Sequence, residues 1–190
     1  MASFTVIYDA CVLYPAPLRD FLMRLALTEL FRARWTATIH DEWMAAVLAD
    51  RPDDLTRAQL ERTRALMNKA VPDCLVEGYQ SLIAGLTLPD PNDRHVLAAA
   101  IRAGAGVIVT FNLKDFPSAA LEQYGIEAQH PDEFVTHLLD LDPAAVCAAA
   151  RNQRLSLKNP PKTIAEHLDT LERQQLPETR VRLQRYVQLL

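Results

Sequence analysis

Nothing in the 190 residues approaches the roughly 18 consecutive apolar side chains that a membrane span requires. The Met1-Ala2-Ser3-Phe4 start carries no basic, signal-like stretch, so a cytoplasmic protein without membrane contact is expected. Cysteine is scarce. Cys11, Cys74 and Cys147 are odd in number, widely spaced and set among apolar residues, which speaks against a disulfide framework or a zinc site and for buried, reduced thiols. An excess of positive charge is also missing: 20 Lys and Arg stand against 24 Asp and Glu, a net −4. That balance argues against nucleic-acid binding by global attraction. No internal repeat or low-complexity linker divides the chain.

What is present suits one α/β core with a small appendage, since 49% of residues are hydrophobic and 23% charged. The charge is unevenly spread. Residues 151–190 hold eight Lys/Arg and four Asp/Glu, which leaves 12 basic and 20 acidic residues in 1–150. An acidic body therefore carries a basic tail.

The most informative stretch is Leu88 to Pro117, LPDPNDRHVLAAAIRAGAGVIVTFNLKDFP. Pro91 has the fixed φ of a first helical position, Asp90 before it is a good N-cap, and Asp93 falls in the first turn. On a 3.6-residue period Asp93 shares a face with Val96, Leu97, Ala100 and Ile101, while Arg94 and His95 turn away. Gly104 and Gly106 stop this helix. Val107 to Phe111 is β-rich and short enough for a core strand, and Asn112 to Asp115 form the loop beyond it.

The other segments repeat this logic. Phe4-Thr5-Val6-Ile7-Tyr8 has the composition of a central parallel strand, and Asp9 stands at its carboxyl end beside the small Ala10 and Cys11. A helix from Leu18 to Arg34 is expected next, then an extended piece at Trp35–Thr38. Thr38 and Asp41 resemble a capping box for a helix Ile39–Asp50, with Glu42 in its first turn and the small Ala45 and Ala46 beyond it. Leu55 to Val71 is a charged amphipathic helix. Residues 118–125 form a short helix, 126–128 an edge strand, and 131–141 a helix that closes the body.

Asp9, Glu42, Asp93 and Asp115 thus each lie at the carboxyl end of a strand or the amino end of a following helix, ends that converge in a parallel α/β fold. Taken singly, each has an ordinary explanation as a cap, a turn residue or a complement to the helix dipole. Together, four carboxylates about 6 Å apart would repel by roughly 3 kcal/mol per pair at an effective dielectric of 20. Oxygen ligands of such charge suit Mg²⁺ or Mn²⁺, which lower the pKa of a bound water and assist attack on a phosphodiester.

The ordered motifs VIYDACVL, Glu42 opening an early helix, PDPNDRHVLAAAI around Asp93 and VTFNLKDFP around Asp115 resemble the PIN-domain family over residues 4–140. The likeness is greatest to the VapC-type toxins with a helical C-terminal extension. The resemblance implies an α/β fold with a central parallel sheet flanked by helices and a metal-dependent endoribonuclease of a toxin–antitoxin pair. It implies that Asp9, Asp93 and Asp115 hold Mg²⁺ or Mn²⁺, that Glu42 joins them in catalysis, and that Thr110, Asn112 and Lys114 support the site or the substrate. RNA would be the substrate and a cognate antitoxin protein the partner. Ala10-Cys11 departs from the Thr-Asn common after the first Asp, which removes a hydroxyl and an amide. A silent binding module of PIN fold, a DNA nuclease and a phosphatase remain alternatives, because the same carboxylates serve them.

Residues 142–190 change character. Asp142-Pro143 starts an Ala-rich helix, Thr163 and Glu166 make a capping box, and Pro177 opens a last helix to Leu190. These short helices cannot bury a core alone, so a nuclease domain 1–141 and an extension 142–190 are expected to pack together or to form a homodimer. Ile164, Leu168, Leu171, Val187 and Leu190 are the candidate packing residues. Arg151, Arg154, Lys158, Lys162, Arg180, Arg182 and Arg185 are candidate phosphate contacts. His40 is read as a helix-start residue rather than a general base.

Overall fold

A computed structural model describes residues 4–190; the Met1-Ala2-Ser3 start lies outside the described residues. Strands β1 (Phe4–Tyr8), β2 (Phe31–Arg34), β3 (Val107–Val109) and β4 (Glu127–Gln129) form one parallel sheet in the order β2-β1-β3-β4. The chain leaves β1 towards β2 on one side, and β3 leads to β4 on the other. The crevice between β1 and β3 is therefore the switch point at which such sheets bind ligands. Val6, Ile7, Tyr8, Ile108 and Val109 are fully buried, as a sheet covered on both faces requires.

The covering helices are α1 (Ala10–Leu13), α2 (Ala16–Ala26), α3 (Ala37–Asp50), α4 (Arg57–Ala70), α5 (Gln80–Ile83), α6 (Arg94–Ala103), α7 (Ser118–Leu121) and α8 (Pro131–Leu141). The expected helix Leu18–Arg34 ends at Ala26. Glu29 takes the left-handed conformation, φ 60°, and the chain turns into β2, which pairs with β1. Helix α3 begins two residues before its expected start, capped by Thr36, whose hydroxyl accepts from Ile39 N at 3.0 Å. The expected cap residue Thr38 instead shares a hydrogen bond with the Tyr79 hydroxyl. Glu42 consequently sits in the second turn. Pro91–Asp93 forms a 3₁₀ turn capped by Asp90, and the α-helix starts only at Arg94. Gly104, at φ 60°, ends α6 as its freedom from a Cβ clash allows.

His40 is buried within the body. Its Nδ1 accepts from Trp43 Nε1, so Nε2–H donates to Asn68 Oδ1, which also accepts from Trp35 Nε1. Those bonds give it a packing role.

Helices α9 (Pro143–Ser156), α10 (Ile164–Arg173) and α11 (Pro177–Gln184) follow, and the last ends six residues before its expected stop. Helix α9 lies on α2 and α8, α10 on α2 and α11, and α11 on α8. Leu168, Leu171 and Leu190 are buried as expected, joined by Leu176 and Leu183, whereas Val187 is exposed because a 3₁₀ turn at Val187–Leu189 replaces the helix there. Asp132, buried at the start of α8, accepts from the backbone N–H groups of Glu178 (2.9 Å) and Thr179 (2.8 Å), capping α11 from another helix. Most of the tail's cations are engaged internally. Arg180 pairs with Asp169 and Glu172, Arg182 with Asp140 and Glu178, Arg154 donates to the Lys162 and Leu190 carbonyls, and Lys162 donates to Thr170. Arg151, Lys158 and Arg185 stay exposed outside these contacts.

Gln153 joins tail to body, donating from Nε2 to Pro17 O at 2.7 Å, and His167 holds it in place, with Nε2 2.9 Å from Gln153 Oε1. Burial, and then the charges of Lys162 and Arg154, push the His167 pKa from 6.5 down to about 4 against the opposing pull of Asp20. The unfolded chain therefore takes up this proton first as pH falls, so stability is lost progressively from about pH 6.5 to about pH 4. A urea midpoint that falls from pH 7 to pH 5 is expected, and His167→Gln, which cannot titrate, should flatten that part of the profile.

Candidate active site

Two neighbouring strand ends build the centre. Asp9 follows β1, and its backbone N–H donates to Val109 O at 3.1 Å, which fixes it beside the end of β3. Its carboxylate is almost fully used: Oδ1 accepts from Ala10 N at 2.7 Å, and Oδ2 accepts from the Thr110 hydroxyl at 2.7 Å and the Cys11 thiol at 3.1 Å. The Cys11 sulfur accepts from Phe111 N, and Thr110 Oγ1 accepts from Asn112 N. Cys11 and Thr110 together thus orient Asp9 where the sequence departs from Thr-Asn. Burial and then the charge of Asp9 push the Cys11 thiol up to about 12, which keeps it a donor rather than a thiolate nucleophile.

Glu42 and Asp93 line the same pocket as Asp9, a space of about 450 Å³ that also touches Ala10, Cys11, Tyr14, Trp43, Ala46 and Asn112. Asp93 is half-buried. Its carboxyl is pushed from 3.8 up to about 6, first by burial and then by the charges of Asp9, Asp90 and Asp115, with His95 opposing. Asp115, half-buried in the turn Leu113–Asp115, is thus near enough for Asp93 to feel its charge, although it does not line the pocket. Lys114 is exposed on the same turn.

His95 does not face away. It is buried, and its Nε2 lies 2.8 Å from Glu42 Oε1, while its Nδ1 has no hydrogen-bond partner. It thereby fixes one oxygen of a side chain that is otherwise on the rim.

Among the described residues, no three His, Cys, Asp or Glu side chains close into a ready-made metal cage. The donor set still fits a hard cation. It is all oxygen, strongly negative, and contains a carboxyl held up partly by its acidic neighbours, a penalty that a divalent ion removes.

The acidic pocket thus opens at the β1/β3 switch point, where open parallel α/β sheets bind their ligands. A family model described as PIN domain matches residues 5–114, more than half of the chain, and the chain belongs to the PIN-domain family. A second model, described as VapC50 C-terminal domain, matches residues 131–185, a span that includes α8 with the three tail helices. The chain is 46% identical over 97 residues to "Putative ribonuclease VapC50" of Mycobacterium tuberculosis (strain ATCC 25618 / H37Rv), an alignment covering 51% of this chain and 57% of that relative. The match thus spans little more than half of the relative's length. No solved structure matches the chain. No helix among the described residues is long and apolar enough to cross a membrane.

Proposed function

We propose that this PIN-domain protein is a metal-dependent endoribonuclease, the toxin of a toxin–antitoxin pair acting in the cytoplasm. The observation that carries this reading is the convergence of Asp9, Glu42 and Asp93 on one pocket, with Asp93 held at about 6 by burial and by three other carboxylates. The ribonuclease name of the relative supports RNA as the substrate. Asp9, Asp93 and Asp115 would hold Mg²⁺ or Mn²⁺. Bound there, the ion would acidify a water and offset charge on the phosphate.

The chain's own residues divide the remaining work. Thr110 and Cys11 keep Asp9 aimed. His95 holds Glu42 by Oε1, which leaves Oε2 to take a proton from the attacking water. Asn112 and Lys114 would contact the RNA strand. A small antitoxin would inhibit by laying an apolar helix on the body and placing an Arg or Lys among Asp9, Asp93 and Asp115 in place of the ion.

Incubation of the purified protein with Mn²⁺ and defined pools of tRNA, rRNA and single-stranded DNA tests the reading. Cleavage of RNA alone, lost on chelation, is expected. A protein that binds no Mn²⁺ and cleaves none of the pools would instead be a binding module of PIN fold.

A further inference from the structure

Beside the carboxylates, the same pocket has a second wall that the cleavage chemistry does not use. Ala10, Tyr14, Trp43 and Ala46 form it. Tyr14 is half-buried, and its hydroxyl donates to Asp50 Oδ2 at 2.8 Å, which anchors the tip of the ring. Arg19 anchors its backbone: Nη1 donates to Leu13 O at 2.6 Å and to Tyr14 O at 3.2 Å, while the guanidinium lies 4.4 Å from the centre of the Trp43 ring. Trp43 is fully buried with its indole N–H tied to His40, so Tyr14 is the aromatic side chain of this pocket that solvent reaches. Ala10 and Ala46 add only methyl groups and leave the space beside the ring open. Asn112, exposed at the pocket, has a side-chain amide with no hydrogen-bond partner among the described residues, and so offers a donor and an acceptor.

We propose that this wall is a nucleobase subsite, in which the base bordering the cleaved phosphate stacks on Tyr14 with its polar edge towards Asn112. The proposal rests on the nuclease reading above and extends it to the form of the substrate. A pocket with carboxylates for a metal-borne phosphate on one side and an anchored ring on the other fits one nucleotide, charged at one end and flat at the other. An Arg or Lys of a protein partner would also pair with the acids, but it brings no phosphate for an ion to hold. Stacking requires the base to be out of a duplex, so the RNA is unpaired at the point of cleavage. It also tolerates any base, which makes selection depend on RNA shape more than on one letter.

The test measures equilibrium binding, in excess Mn²⁺ so that Asp9 and Asp115 can still hold the ion, by full-length protein carrying Asp93→Asn, which blocks cleavage and removes one negative charge. The probes are a short single-stranded RNA and the same strand with one base removed. Tyr14→Leu, which keeps apolar bulk, should weaken binding of the intact strand about tenfold, Tyr14→Phe should restore it, and the abasic strand should bind all three proteins alike. Circular dichroism establishes that each is folded. Equal losses on both strands, or no loss on the intact one, would overturn the subsite and return the wall to packing or to a peptide partner. Cleavage by protein with Asp93 intact is scored separately: absence of cleavage with the binding difference present removes the nuclease reading alone, and the converse removes the subsite alone.

Discussion

Asp93→Asn is expected to abolish RNA cleavage while making the metal-free protein slightly more stable at neutral pH. The loss of activity should exceed about 100-fold, the upper end of what losing a residue behind a metal ligand costs, because here the charge at the ion itself disappears. The gain in stability follows from sign. A carboxyl whose pKa is raised on folding, from 3.8 to about 6, withdraws stability as pH rises through that interval, and the whole penalty is present above it. Two units bound the effect at about 3 kcal/mol; with much of the carboxyl in water, about 1 kcal/mol is realised. Thermal unfolding at pH 7 without metal should place the variant above wild type. Added Mn²⁺ should reverse the order, since wild type, with all its carboxylates, gains more from binding. A variant that cleaves at the wild-type rate would reduce Asp93 to a turn residue.

The second large effect is structural. Asp132→Ala removes the carboxylate that caps α11 from α8 and strands two backbone N–H groups, of which Thr179's is buried. A cost of about 3 kcal/mol is expected, because hydrogen bonds to a charged acceptor are lost and a buried donor is left unsatisfied. Asp132→Asn should lose about half as much, as its amide keeps one acceptor oxygen. Chemical unfolding measures both, and a change under about 0.5 kcal/mol for the alanine variant, the range of an ordinary surface substitution, would mean that α11 stays docked by Leu183 and the ion pairs of Arg180 and Arg182.

The sheet's centre and the meeting of Asp9 and Asp93 at one pocket were legible because local rules and tertiary placement coincide there. Tyr8-Asp9 is an apolar strand ending in a carboxylate, and Asp90-Pro91 is a helix start whatever surrounds it. Strand β2 was not legible. Leu22, Leu25 and Leu30 continue a helical pattern, and the turn at Thr28-Glu29 uses a glutamate in the left-handed region, where no glycine or proline marks the break. His95 was misplaced because α6 is covered on more than one face: every residue from His95 to Ala100 is buried, so a side chain off the apolar stripe still meets a neighbouring element, here Glu42 of α3. Cys11 looked like one more buried thiol, and its position two residues after Asp9 was the available signal. The fate of the tail cations depends on how the helices pack, which local pattern does not contain.

The sheet's outer strands bear on how copies of the chain meet. Strand β2 has four residues and carries Arg32 and Arg34, and β4 has three and carries Glu127. Short, charged edges offer few open hydrogen-bonding groups to a neighbouring sheet and oppose its approach. Growth of the sheet from molecule to molecule is thereby discouraged, and self-association of the folded protein would have to run through its helical faces.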